Sequence, residues 1–253
     1  MANPLAYRIG SFQKPHLPFK RVAQLGIPQV ELVWNDQTSV DEVGDLLVPL
    51  GMQVASLHVP SPLDDDGLPD KMAGWAECAM ELGAHHLFVS IHAGEMARDE
   101  AYGRIRKLGD AVAKAEVYLA METHPDLCQN AANMLETMAA VAHPWVGVNY
   151  DTANVYYYNE GVDTVAELTK AVAQVRGVHL KDTHGGFHDG SFPVFGEGVV
   201  DFAGVERVLR EGGYKGPLVM ELEGGAFDAA KPDDLAAKVE RCVHHLRATK
   251  LAR

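Results

Sequence analysis

The sequence predicts an α/β protein, a single (β/α)₈ or TIM barrel spanning residues 1–253, and three observations carry that prediction. Apolar strand-like runs alternate with amphipathic helical stretches along the whole chain. Eight such units fit within 253 residues, a length close to the ~250 typical of a closed barrel. The segment after the first run, Ser11 to Pro15 (SFQKP), holds neither GxGxxG nor GxxxxGK(S/T), the glycine-rich loops that an open doubly wound sheet usually carries.

The expected strands are Leu5–Gly10, Gln29–Trp34, Gln53–His58 and His86–His92 in the first half of the chain. Val117–Glu122, Val146–Asp151, Arg176–Lys181 and Pro217–Glu221 follow in the second half. Helices are expected between them. Ser39–Leu50 opens on an N-cap serine with Glu42 three residues on, the capping-box spacing. Lys71–Leu82 stops at Gly83, as a C-cap glycine stops a helix. Arg98–Ala115, Ala132–Ala142, Asp163–Gln174, Asp201–Glu211 and Asp233–Thr249 complete the set. Strands that alternate with helices imply a parallel sheet, and eight of them a closed one.

Composition narrows the function classes. With 47% hydrophobic and 23% charged residues, the chain can bury one large core and shows no mark of disorder. The formal net charge of −13 repels phosphate backbones, and the densest basic stretch, Arg98 to Lys107, reads as one solvated helix face. No nucleic-acid partner is therefore expected. The longest apolar runs fall far short of a membrane span, and Met1 to Phe12 shows no secretory signal. Three cysteines, Cys78, Cys128 and Cys242, form no CxxC pair and no even framework, so a reducing, cytoplasmic setting is expected.

Metal-capable side chains recur at the C-terminal ends of the expected strands. His58, His92, Glu122, Asp151, His179 and Glu221 each end or nearly end a strand. In a barrel those ends converge on one mouth, where active sites sit. A lone glutamate at a strand end is more often a solvated or salt-bridged side chain, and a lone histidine more often a core or loop anchor. Recurrence across half the chain carries the argument. His85, His86, His143, His244 and His245, on strand starts or outer helices, read as structural.

Carboxylates packed into a partly dry pocket repel one another, and a divalent cation relieves that repulsion. Glu122, Asp151, Glu221 and His179 thus make a coherent site for one divalent metal ion. Three oxygen ligands and one imidazole suit Mn²⁺ foremost, with Mg²⁺, Co²⁺ or Zn²⁺ as other candidates, rather than a cysteine-rich structural zinc.

Five segments resemble the sugar phosphate isomerase/epimerase family, with its xylose isomerase-like barrel. They are METHP (Met121–Pro125), GVNYDTAN (Gly147–Asn154), VHLKDT (Val178–Thr183), FPVFGEGVVDF (Phe192–Phe202) and GYKGPLVMELEGG (Gly213–Gly225). The resemblance implies that Glu122, Asp151, His179 and Glu221 bind the metal and that Glu122 and Glu221 form a facing acid/base pair. Moving a proton beside a ketose carbonyl needs a base and a stabiliser for the enediolate oxygen. Carboxylates supply the first and a Lewis-acidic metal the second. Two carboxylates acting on opposite faces give epimerisation, while one shuttling between adjacent carbons gives aldose–ketose isomerisation. The residues leave that choice open.

Around this core, His58, His92, His124, Lys181 and His188 are expected to contact a sugar or polyol substrate. Lys181 has an alternative as an ion-paired partner of Asp182. Glu31 and Trp34 are candidates to line the pocket. Gly196 and Gly198 permit a tight loop that could lie over the mouth, with Phe192 and Phe195 excluding water and Glu197 solvated. Many epimerases carry a histidine where this chain has Asn154, and the arginine that some place after the strand-seven histidine is absent. An unphosphorylated substrate is the expectation that follows. Competing readings are a metal-dependent dehydratase of a keto-inositol or of dehydroshikimate on the same scaffold, an AP endonuclease-like zinc enzyme, and a non-catalytic sugar- or metal-binding module. Family members often form dimers or tetramers, so a homo-oligomer is also among the expectations.

Overall fold

Eight parallel strands close into a barrel in the computed structural model, which describes residues 3–251. They are β1 (Leu5–Ser11), β2 (Gln29–Val33), β3 (Gln53–His58), β4 (His86–Val89), β5 (Tyr118–Glu122), β6 (Val146–Asp151), β7 (Val175–Leu180) and β8 (Leu218–Met220). Each strand pairs with the next in chain order, and β1 pairs with β8. That seam joins Leu5 to Leu218, Ala6 to Val219 and Tyr7 to Met220. A two-residue strand, Lys14–Pro15, folds back antiparallel on the end of β1. Every residue of β6 and β8 is buried, as expected where helices cover one face and the barrel interior the other.

Nine α-helices among the described residues surround the sheet: α1 (Phe19–Gln24), α2 (Val40–Leu47), α3 (Leu68–Glu81), α4 (Arg98–Ala113), α5 (Ala131–Val141), α6 (Asn154–Tyr157), α7 (Thr164–Ala171), α8 (Phe202–Glu211) and α9 (Pro232–Ala248). Their apolar stripes build the core. In α8, Phe202, Val205, Val208 and Leu209 recur at helical spacing and are buried. Each such burial is worth ~1.5–3 kcal/mol. Ser39 caps α2 by accepting from the Glu42 amide at 3.5 Å, and Gly83 follows α3 with φ of +70°. The expected capping serine and terminating glycine therefore stand where the sequence put them. α1 is not among the expected helices, because six residues behind Pro18 are too short to display a period. α3 begins at Leu68, ahead of the expected Lys71, with Pro69 in its first turn.

The barrel interior has its own composition. Ala6, Ala55 and Val219 form a small apolar cluster separate from the main core. A Cβ at Gly177 would lie 2.3 Å from Asn149 Oδ1 and 2.7 Å from His86 Nε2. Since β4 and β7 are not neighbours in the sheet, that approach can only occur inside the barrel. Glycine at 177 is what lets the two polar side chains in. The expected fourth strand stops at Val89, so His92 lies beyond it; Lys181 and Glu221 each follow their strand by one residue. Among the described residues, no helix is long and apolar enough to cross a membrane.

Candidate metal centre and catalytic pocket

Side chains alternate along a strand, so residues two apart share a face. His179 lies two residues beyond the interior Gly177, Asp151 two beyond the interior Asn149, and Glu221 two beyond the interior Val219. Glu122 closes β5. All four are buried, and one ligand atom from each lies within 4.8 Å of the others.

Neighbours fix each donor. Asp151 Oδ1 accepts from the Ala153 and Asn154 amides at 2.7 and 2.8 Å. Its Oδ2 is buried and, among the described residues, accepts no hydrogen bond; the Lys181 ammonium lies 3.2 Å away. Glu122 accepts from Ser90 Oγ at 2.6 Å and from Asn154 Nδ2 at 3.3 Å. Glu221 accepts from Arg8 Nη1 at 2.7 Å, while its other oxygen lies 2.7 Å from Lys181 Nζ and 3.2 Å from His179 Nδ1. The far ring nitrogen of His179 meets Glu31, buried beneath.

The electrostatics follow from burial and crowding. Burial, then the neighbouring Glu221, pushes Glu122 up to about 8. Burial also raises Asp151, with Lys181 opposing it. For Glu221 burial acts in the same direction, but Lys181, Arg8 and His179 together hold it well below the usual carboxylate range. Burial disfavours the His179 cation, yet Glu31 and Glu221 outweigh it and raise His179 to about 10. Glu31 is held down to about 2, its burial outweighed chiefly by His179. Raised, crowded carboxylates and the orphaned Asp151 Oδ2 are what a donor set for a divalent cation looks like without its charge. Three carboxylates and an imidazole fit a hard-to-borderline ion.

A cavity of about 380 Å³ opens above this cluster. Arg8, His58 and Phe88 pack together in its lining, as do His124, Tyr158 and Tyr157, and Phe192 adds a ring 4.9 Å from Lys181 Nζ. Arg8 Nη2 approaches His58 Nδ1 to 3.1 Å. A guanidinium only donates, so Nδ1 accepts and the proton of the neutral ring sits on Nε2. Burial, then Arg8, lowers His58 to about 4, and burial, then His92, lowers His124 to about 4. Both rings are neutral hydrogen-bonding groups at pH 7. A larger groove of about 550 Å³ between α3 and α4 is lined by paired surface charges such as Arg104 and Asp66, and no ligating cluster lies there among the described residues.

Of the residues expected around the substrate, His58, His124 and Lys181 line the cavity. His92 does not; it is exposed, stacks on His124 at 5.5 Å and meets the Pro125 carbonyl. His188 is exposed as well, its ring 3.9 Å from that of Phe187 and 5.3 Å from that of Tyr157. Lys181 pairs with Asp151, Glu221 and Glu223 instead of Asp182. Asp182 serves the loop: one oxygen accepts from the Thr183 and Val200 amides, the other from Gly196 and Gly198. Of the loop phenylalanines only Phe192 reaches the cavity, while Phe195 packs on Phe202 in the core. Trp34 is a core residue, and Glu197 is exposed and paired with Arg241. Arg8, Ser90, Tyr157, Tyr158 and Glu223 line the cavity without having been singled out from the sequence. A charged residue inside the apolar run LAYRIG was the available signal for Arg8.

Comparisons with known proteins agree with this architecture. L-ribulose-5-phosphate 3-epimerase UlaE of Salmonella paratyphi C is 32% identical over 151 residues, covering 55% of this chain and 51% of that protein. Inosose dehydratase of Erwinia tasmaniensis is 29% identical over 161 residues, covering 57% and 52%. The chain thus spans about half the length of the curated relatives it matches. Over nearly its full length it superimposes on a xylose isomerase domain protein from Planctomyces limnophilus, with a TM-score of 0.81, 18% identity, and coverage of 99% and 98%. A profile of the xylose isomerase-like TIM barrel family matches residues 19–245, a span holding all but the first strand of the barrel and every residue of the acidic cluster. By sequence as well as by shape, the chain belongs to the xylose isomerase-like TIM barrel family.

Proposed function

We propose that this protein is a divalent-metal-dependent epimerase that inverts a carbon beside the carbonyl of an unphosphorylated ketose. The observation that supports it most is the pairing of two carboxylates, Glu122 and Glu221, with Asp151 and His179 in one buried cluster under the cavity. Glu122, Asp151, His179 and Glu221 would hold the ion, for which Mn²⁺ is the leading candidate. When bound, such a cation supplies Lewis acidity toward adjacent substrate oxygens.

The protein's own groups do the rest. Glu221, kept anionic by Lys181, Arg8 and His179, takes the proton from the carbon beside the carbonyl. The C–H electron pair passes into the new C=C bond of the enediolate. Glu122, the second carboxyl group of the cluster, returns a proton to the other face of that carbon. Lys181 and the neutral His58 and His124 donate hydrogen bonds to substrate oxygens, and Phe192 helps exclude water. The cavity-lining cations Arg8 and Lys181 are both engaged with carboxylates, which supports a substrate without phosphate.

Dehydration is the second reading, favoured by the likeness to an inosose dehydratase. It begins with the same proton abstraction and ends with loss of a β-hydroxyl. Incubation with a panel of ketoses in D₂O and Mn²⁺ separates the two. Epimerisation places deuterium beside the carbonyl and yields the epimer, whereas dehydration yields an enone with new ultraviolet absorbance. A Glu221→Gln variant is expected to retain the ion and lose the exchange. Full exchange in that variant would remove Glu221 from the acid/base pair.

A further inference from the structure

Glu31 takes no part in the chemistry above, yet it is a fully buried carboxylate at the centre of the barrel. Its Oε2 lies 2.7 Å from Ser56 Oγ and 3.0 Å from His179 Nε2. Its Oε1 lies 3.7 Å from Arg8 Nη1. β2 and β7 are three strands apart around the closed sheet, so Glu31 reaches His179 through the barrel interior. On the other side of the same ring, Nδ1 faces Glu221 Oε2 at 3.2 Å.

The geometry points to Glu31 as a positioning residue that holds the His179 proton on Nε2 and presents Nδ1 to the cation. This rests on the proposal that His179 is a ligand. A carboxylate without a proton can only accept, so the nitrogen facing Glu31 must donate. One ring nitrogen is then committed to the interior; Nδ1, which faces Glu221 at 3.2 Å, is the nitrogen that would give up its proton and offer a lone pair to a metal. Ser56 donates to Glu31 Oε2 and the Arg8 guanidinium lies 3.7 Å from Oε1, which favours this orientation of the carboxylate. A carboxylate behind a ligating histidine fixes the tautomer and ring angle and strengthens the nitrogen as a donor.

Two measurements test the assignment. Competition with a chromogenic chelator gives the Mn²⁺ and Co²⁺ affinities of the wild type, Glu31→Gln and Ser56→Ala. Glu31→Gln is expected to bind about 10- to 100-fold more weakly. Ser56→Ala removes a buried hydrogen bond from the same carboxylate without touching His179, and is expected to change affinity less than about threefold, as an indirect contact should. Equal losses in the two variants, or unchanged affinity in Glu31→Gln, would overturn the role. Long-range ¹H–¹⁵N correlation of the Zn²⁺-loaded wild type, with His179→Asn identifying the signal, is expected to show a protonated Nε2 and a ligated Nδ1. Ligation through Nε2 would overturn the assignment even if Glu31→Gln did not fold. A wild type that binds none of these ions would instead sink the metal proposal itself, which the wild-type titration reports separately.

Discussion

Lys181 Nζ sits 2.7 Å from Glu221 Oε2, closer to that oxygen than His179 Nδ1 is at 3.2 Å. A side-chain ammonium therefore occupies the neighbourhood in which a metal ion would share the same oxygens, including Asp151 Oδ2. Replacing it with a neutral side chain removes a competing charge. Lys181→Met is expected to bind Mn²⁺ about tenfold more tightly, a gain of ~1.4 kcal/mol, while turnover falls by about 10²-fold through loss of a donor to the substrate. Calorimetric titration and steady-state kinetics on the same preparation check both halves.

Metal binding should also register as folding stability. A ligand at 100 times its Kd adds ~2.7 kcal/mol, which for a chain of this size is a rise in Tm of about 5–10 °C. Thermal unfolding with Mn²⁺ should show that rise, and excess chelator should reverse it. Asp151→Asn, which neutralises the carboxylate with the orphaned oxygen, should lose most of it.

The loop after β7 hangs on one carboxylate. Asp182 accepts four backbone N–H bonds at 2.9 to 3.2 Å, and a Cβ at Gly198 would come within 2.2 Å of it. Asp182→Asn sets an amide donor against two of those donors, and is expected to cost ~3 kcal/mol, roughly 6–12 °C in Tm. Because Phe192 rides on this loop, KM should rise as well. Differential scanning calorimetry with kinetics would detect either effect.

Acid should destabilise the protein through the buried His86. Burial, then His85, lowers His86 from 6.5 to about 3. Between those values the unfolded chain binds the extra proton and the folded one does not. Stability is thus fully present above about pH 6.5 and is lost as pH falls toward 3. Unfolding curves from pH 7 to 5 should decline in the wild type, with a smaller decline in His86→Gln. An unchanged slope in that variant would remove His86 as a cause.

The barrel was legible because its alternation is carried by burial, which the apolar pattern records directly. Glu122, Asp151, His179 and Glu221 were legible for a related reason, since each stands where an apolar run ends. Strand periodicity explains what was overlooked. Ala6 and Arg8 share a face, as do His86, Phe88 and Ser90, so the residues that reach the mouth are set by parity from the interior positions. Counting from His86 would have nominated Ser90, whereas the strand-end criterion nominated His92, because the strand was drawn three residues too long. His188 and Phe195 depended on loop geometry, which has no period to read.

The closing seam has one more consequence. Arg8 lies on the first strand and Glu221 just past the last, 213 residues apart in sequence, yet they meet at 2.7 Å. Arg8's share in stabilising that carboxylate, second to that of Lys181, thus comes into being only when the two ends of the sheet find each other. A partly folded intermediate that assembles the other helices and strands would still lack the Arg8 contact to the proposed base. The Arg8–Glu221 contact is therefore a readout of completed closure, and an ion held by the four proposed ligands would act as a clasp among β5, β6, β7 and the end of β8.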